Sequence, residues 1–230
     1  MNYVKDEKGN AAIFMLWLLG MVAIVFILTI NIVKVYIVKE HASLSVEQAA
    51  IAGTAALLER TKKAVENYDT RPTSDLLYIA DRNLQISLDG ASVGQLIESK
   101  KNDYMANGMD EGDALVKAVN KLLPERINRS PYLKWEMRNQ LGLSSSDAYH
   151  IYTPAIMNII ADNKARTEDT EPTLSTTDWR IEVKSTVRFK SIADNKFITA
   201  FIDDLPQRGY GPKLIYLEDV YTGTIVFPTP

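Results

Sequence analysis

The chain has 230 residues, with hydrophobic residues at 46% and charged residues at 24%, so one folded domain plus an appendage is the natural expectation. That balance excludes a disordered chain, a collagen-like fibre and a many-span membrane protein. Twenty-six Lys and Arg against 29 Asp and Glu give a formal charge of -3, with no basic excess for a phosphate backbone, so nucleic acid is not an expected partner. The absence of cysteine excludes a disulfide framework, a thiolate metal centre and a cysteine nucleophile.

Hydropathy is very unevenly distributed. From Ala11 to Val33 the sequence runs for 23 residues without a charge. A helix of that length covers roughly 34 Å, enough to cross a hydrocarbon core of about 30 Å, so residues 11–33 are expected to be a transmembrane helix. A cleavable secretory signal has a shorter apolar region, and the one A-x-A match, Ala50-Ile-Ala52, lies far downstream. The segment therefore reads as an uncleaved signal-anchor in the lipid bilayer. Lys5 and Lys8 before the span balance Lys34 and Lys39 after it, so the positive-inside count is a tie. A tail of residues 1–10 and a C-terminal part of nearly 200 residues suggest a cytoplasmic N-terminus and an extracytoplasmic domain.

No proline occurs between Ala11 and Tyr68, so the membrane helix is expected to continue as a stalk over residues 34–70. Val46, Ala50, Gly53, Leu57, Ala64 and Tyr68 recur at helical steps and form a face of mostly small residues. Small residues let another backbone approach closely, so this face suits partner helices or the chain's own globular domain. The helix should stop at Asp69-Thr-Arg-Pro72.

Residues 71–230 are expected to form an α+β domain, with helices packed on a C-terminal antiparallel β-meander. Leu84 to Leu88 reads as a short strand. Asp89-Gly90 is a turn pair, and Ser92 with Gln95 forms a capping box for a following helix. Ala114, Leu115, Ala118, Val119, Leu122 and Leu123 make an apolar stripe opened by Asp110 and stopped by Pro124. Ser130, Pro131 and Gly142 frame another helix, and Thr153-Pro154 opens a third. The polar stretch Thr167 to Asp178 reads as a loop. Ile181 to Phe189 then alternates apolar and polar residues as a strand. After a turn at Ala193 to Lys196, further strands are expected at Phe197 to Ile202, Lys213 to Val220 and Thr224 to Phe227, with Gly209-Tyr-Gly211-Pro212 as a turn.

Catalytic signals are sparse. Gly90-Ala-Ser92-Val-Gly94 matches G-x-S-x-G, and His150 is the one histidine that follows Ser92, but an anchored serine hydrolase needs the motif between a strand and a helix of a parallel sheet. The capping role of Ser92 is the simpler reading. His41 and His150 stand in different regions without a metal-binding pattern, and Asp110-Glu-Gly-Asp113 and Asp203-Asp204 lack the ligand spacing of a calcium loop. Neither a catalytic set nor a cofactor or metal site is expected. Tyr36 suits a headgroup anchor, whereas Trp17 lies deep in the span. Trp135 and Trp179 are expected in the core.

The order Lys5-Asp-Glu-Lys8-Gly9-Asn10, a long apolar span and then Val46-Glu-Gln-Ala-Ala-Ile-Ala-Gly resembles the TadE/TadG-like proteins over roughly the first 58 residues. That resemblance implies a role in assembling Flp-type pili by the Tad machinery. It also implies a processing site after Gly9, before Asn10, as in pseudopilins. The fifth residue after Gly9 is Phe14, where such pilins carry a glutamate, and the D-x-S-x-S motif of TadG-like members has no counterpart. The likeness is therefore to a pilin-like or accessory component, non-enzymatic, whose partners are other apparatus subunits reached through the long helix. The rival expectation is an anchored sensor or ligand-binding module.

Overall fold

The computed structural model describes residues 7–163, 168–188, 204–225 and 227. Its spine is α1 (Glu7–Thr70), an unbroken helix of 64 residues, roughly 96 Å long. The helix ends where the sequence predicts, just before Arg71-Pro72. Residues 11–30 are bare, and over the most apolar window mean hydropathy is 2.8, so this helix is long and apolar enough to cross a membrane. Its polar side chains turn inward on their own backbone: the Thr29 hydroxyl donates to the Val25 carbonyl at 2.8 Å and the Asn31 amide to that of Ile27 at 3.0 Å. Such bonding satisfies these polar groups within the helix itself.

The second half of α1 has a different environment. Val46, Ala50, Leu57, Ala64 and Tyr68 are buried in the main hydrophobic core, and Gly53 is buried with them. Of the two readings of this small-residue face, the structure fills it with the chain's own domain. It packs against α5 (Pro131–Leu141), α6 (Tyr149–Asp162) and the strands β2 (Arg180–Arg188) and β3 (Asp204–Tyr210). Residues 46–68 are thus core as well as stalk, and the globular unit begins inside the helix.

Around this spine the chain is α+β and mostly helical. After α1 come α2 (Leu76–Asp89), α3 (Val93–Ala106) and α4 (Glu111–Arg129), then α5 and α6, and a short α7 (Tyr216–Tyr221) follows the sheet. The sheet has three antiparallel strands in the order β1-β2-β3, with β1 at Glu171–Ser175. Ile181 and Val183 of central β2 are fully buried, and Val183 is paired with Gly209 of β3.

Two glycines let the sheet reach the spine. An added Cβ on Gly209 would overlap the backbone of Val46 and Glu47, and one on Gly211 would meet Thr54 and the Ala50 carbonyl. These residues were expected to form a turn, but Gly209 and Tyr210 belong to β3. The turn-like composition reflects close backbone approach.

The capping signals hold. Asp110 accepts from the Gly112 and Asp113 amides, Ser92 and Gln95 close a full capping box, and Ser130 accepts from the Leu133 amide at 3.0 Å. Gly90 and Gly142, at φ 76° and 95°, end α2 and α5.

Other expectations are corrected. Leu84 to Leu88 is helical, inside α2. Its alternating Leu84, Ile86 and Leu88 are exposed, whereas the residues turned to the core are Tyr78 and Gln85, seven apart. Asp75 starts this helix by accepting from Leu77 and Tyr78. Pro124 does not stop α4, which runs on to Arg129 because Leu123 and Ile127 are buried on both sides of it. Their burial offsets a cost of about 3 kcal/mol for an interior proline. Likewise α6 starts at Tyr149, before Thr153-Pro154, since Tyr152, Ile156 and Ile160 form one buried stripe.

The stretch expected as a loop contains β1, whose polarity and Pro172 suit an edge strand. Lys213 to Val220 is no strand. Leu214, Leu217 and Val220 repeat every three residues and are buried, and α7 forms there. Asn120 fixes its approach, donating to the Lys213 carbonyl at 2.7 Å and accepting from the Ile215 amide at 2.8 Å. Thr224 and Ile225 are in no strand. Phe189, the turn at 193–196 and the strand at 197–202 lie outside the described residues.

Candidate functional site

Among the described residues, the bare apolar half of α1 and a cleft at its other end stand apart from the packed core. The helix stops at Thr70, and the segment Arg71 to Asp75 turns the chain into α2. Between that turn and α5 lies a cleft of about 360 Å³ lined by Arg71, Thr73, Asp75, Tyr78, Tyr132, Trp135 and Phe227.

A buried carboxylate lies behind two of these residues. Glu136 on α5 is 1% exposed, and its Oε1 accepts from Arg71 Nη1 at 3.0 Å and from the Tyr78 hydroxyl at 3.2 Å. A buried carboxylate is tolerable only with such partners, and removing one costs about 3–5 kcal/mol. The Arg71 guanidinium also lies over the Trp135 ring, 5.3 Å from its centroid. Burial, and next the Glu136 charge, push the Tyr78 phenol well up, so it stays a donor.

Its wall is aromatic. Tyr68 and Tyr78 have ring centroids 5.8 Å apart, Tyr78 and Tyr132 5.0 Å apart at 62°, and Tyr132 and Phe227 5.2 Å apart at 55°. Behind it, Asp81 accepts from the Tyr68 hydroxyl at 2.8 Å and the Ser130 hydroxyl at 2.5 Å. Arg82 donates to the carbonyls of Asp69 and Arg71, while Asp69 accepts from the Val93 and Gly94 amides at the start of α3. The cleft is thus held by α1, α2, α3 and α5 together.

The residues singled out from sequence fall elsewhere. Gly9 and Asn10 are in the first turns of α1. Ser92 accepts from the Gln95 amide as the cap of α3, and His150 is exposed near the start of α6 with its ring against Tyr149. No hydrogen bond joins Ser92 to His150 among the described residues. His41 is exposed on α1. Asp147, beside His150, accepts from the Ser144 amide, and that bond holds its carboxyl below the usual range. Among the described residues no three His, Asp or Glu side chains gather as a metal site. Tyr36 and Trp17 are both exposed on α1. Trp135 and Trp179, expected in the core, are only half-buried. Trp179 stacks on Tyr221 at 6.0 Å, and Trp135 lines the cleft.

Sequence reasoning missed the cleft residues Arg71, Tyr78, Tyr132 and Phe227, and Glu136 behind them. They are spread over four segments and have no common spacing. The one local signal was Trp135-Glu136, an acid inside a helix whose neighbours Leu133 and Met137 are fully buried.

Comparison with protein-family models, with characterised proteins and with solved structures gave no match to this chain.

Proposed function

We infer that this chain is a single-pass, membrane-anchored component of a Tad/Flp-type pilus or a related secretion apparatus, pilin-like or accessory, acting by assembly. The supporting observation is α1: one continuous helix is bare and apolar over residues 11–30 and core of a globular unit over 46–68. A rigid rod of this kind couples the domain to whatever covers its apolar half. In this reading the N-terminus is cytoplasmic, the domain extracytoplasmic, and the bare half packs with lipid and with helices of other subunits. The resemblance around Lys5 to Asn10 supplies the identity of the apparatus.

Deletion in the host should abolish or reduce pilus assembly or secretion, and unchanged assembly would refute the proposal. The mature N-terminus and intact mass then separate its two forms. A start at Asn10 marks a processed pilin-like subunit, and an intact start a permanently anchored accessory protein.

The cleft favours a second reading, an anchored ligand-binding module. Such a module would pass its signal to a partner span, and crosslinking that recovers no membrane partner would count against it.

A further inference from the structure

We propose that the cleft at the end of α1 is a docking site for an extended, proline-bearing segment of a partner protein. The inference does not depend on the identity of the apparatus. It concerns the end of the spine farthest from the span, roughly 55 Å beyond Val33 by helix length.

The ligand class follows from what the lining offers and what it lacks. Among the described residues the Tyr132 hydroxyl and the Trp135 ring N–H make no hydrogen bond, and Arg71 uses only Nη1. Burial, followed by the charges of Asp75 and Asp81, raises the Tyr132 phenol, which keeps its proton. The Asp75 Oδ1 is taken by the cap of α2, which leaves its Oδ2 as the main remaining acceptor, and the Thr73 hydroxyl already accepts from the Asp75 amide. Free donors therefore outnumber free acceptors.

A cationic guest would find the Trp135 face already covered by Arg71 and only the second oxygen of Asp75 as a charged acceptor, which leaves the rest of the aromatic wall unused. An anionic guest is disfavoured, because Glu136 neutralises Arg71 and Asp75 adds a negative charge. What fits is a neutral, acceptor-rich guest with an apolar body. A polyproline II segment has that chemistry, since its carbonyls have no internal hydrogen bonds and its pyrrolidine rings pack against aromatic edges. The rings of Tyr78, Tyr132 and Phe227, spaced about 5 Å apart, supply such edges, and the Trp135 N–H and Tyr132 O–H supply donors to the carbonyls. The cavity is at the small end of ligand sites, which span about 300–1,000 Å³, so a short stretch of residues would engage it.

Titration of the full detergent-solubilised chain with acetyl-hexaproline amide, followed by tryptophan fluorescence, tests this. Saturable binding is expected, with acetyl-hexaglycine amide, choline and benzoate at least about tenfold weaker. Trp135→Ala should weaken hexaproline binding about tenfold or more, followed by calorimetry. Trp135→Phe keeps a ring but loses the donor, and should fall between Ala and the parent. Trp135 is half-exposed, so both variants should unfold near the parent's midpoint, and Trp135→Phe still decides the matter if Trp135→Ala does not fold. The proposal is overturned by no binding, by equal binding of hexaglycine, by tighter binding of choline or benzoate, or by hexaproline affinity indifferent to Trp135→Phe.

Discussion

Gly209→Ala is expected to destabilise the domain by roughly 3 kcal/mol or more, against the direction that the strand rule alone gives. Glycine inside a strand is ordinarily less stable than alanine by about 0.5–1 kcal/mol, so the exchange should help wherever space allows. Here the new Cβ would overlap the carbonyl and carbon of Val46 and the amide of Glu47. Those atoms are the backbone of a hydrogen-bonded helix and cannot rotate away as a side-chain end can. Either β3 lifts off the spine, exposing Val46 and Val183, or the helix bends, and overpacking of this kind lies at the costly end of its range. Gly20→Ala is the control, because an added Cβ there meets nothing within 4 Å. Urea unfolding of the solubilised chain reads the result as a lowered midpoint for Gly209→Ala and none for Gly20→Ala. A midpoint unchanged or raised by Gly209→Ala would mean that β3 does not lie on α1 as described.

The second large effect concerns the span. Fourteen Leu, Ile, Phe and Val residues occupy 11–33. At about -0.3 to -0.6 kcal/mol each, they favour insertion by about 4–8 kcal/mol, while one arginine near the centre opposes it by about 2.5–3.5 kcal/mol. Val22→Arg alone should therefore remain inserted. Adding Val25→Arg brings the opposing term to about 5–7 kcal/mol, comparable with the whole driving force. The double variant should move in large part from the carbonate-resistant membrane fraction to the soluble or aggregated one. A double variant as firmly inserted as the parent would show that residues 11–33 are not what holds the chain in the membrane.

These two predictions also mark what could be read from sequence. The apolar half and the length of α1 were legible because an uninterrupted apolar run, and then a proline, are one-dimensional signals. So were the caps at Ser92, Asp110 and Ser130, where a side chain bonds its own helix. Less legible were segments whose local pattern competes with tertiary packing. Leu84, Ile86 and Leu88 alternate like a strand, yet none of them faces the core. Pro124 and Pro154 read as boundaries, but buried stripes on either side carry the helices through them. Gly209 and Gly211 read as turn residues, because the spine they accommodate lies more than 150 residues away in the chain. The cleft was hidden for the same reason. Arg71, Tyr132 and Phe227 come to line one cleft only after α1, α2 and α5 have packed.

The most direct test of the assembly reading exploits the absence of cysteine, which makes a single introduced thiol unique. Leu28→Cys places it on the bare half of α1, and Lys62→Cys on the exposed side of the core half. In native membranes, a short photoreactive crosslinker attached through the thiol should join Leu28→Cys to a second copy or to another pilus or secretion subunit, and Lys62→Cys far less. Leu28→Cys that is labelled by lipid-soluble reagents yet gives no protein adduct would contradict the account, leaving α1 as an anchor alone.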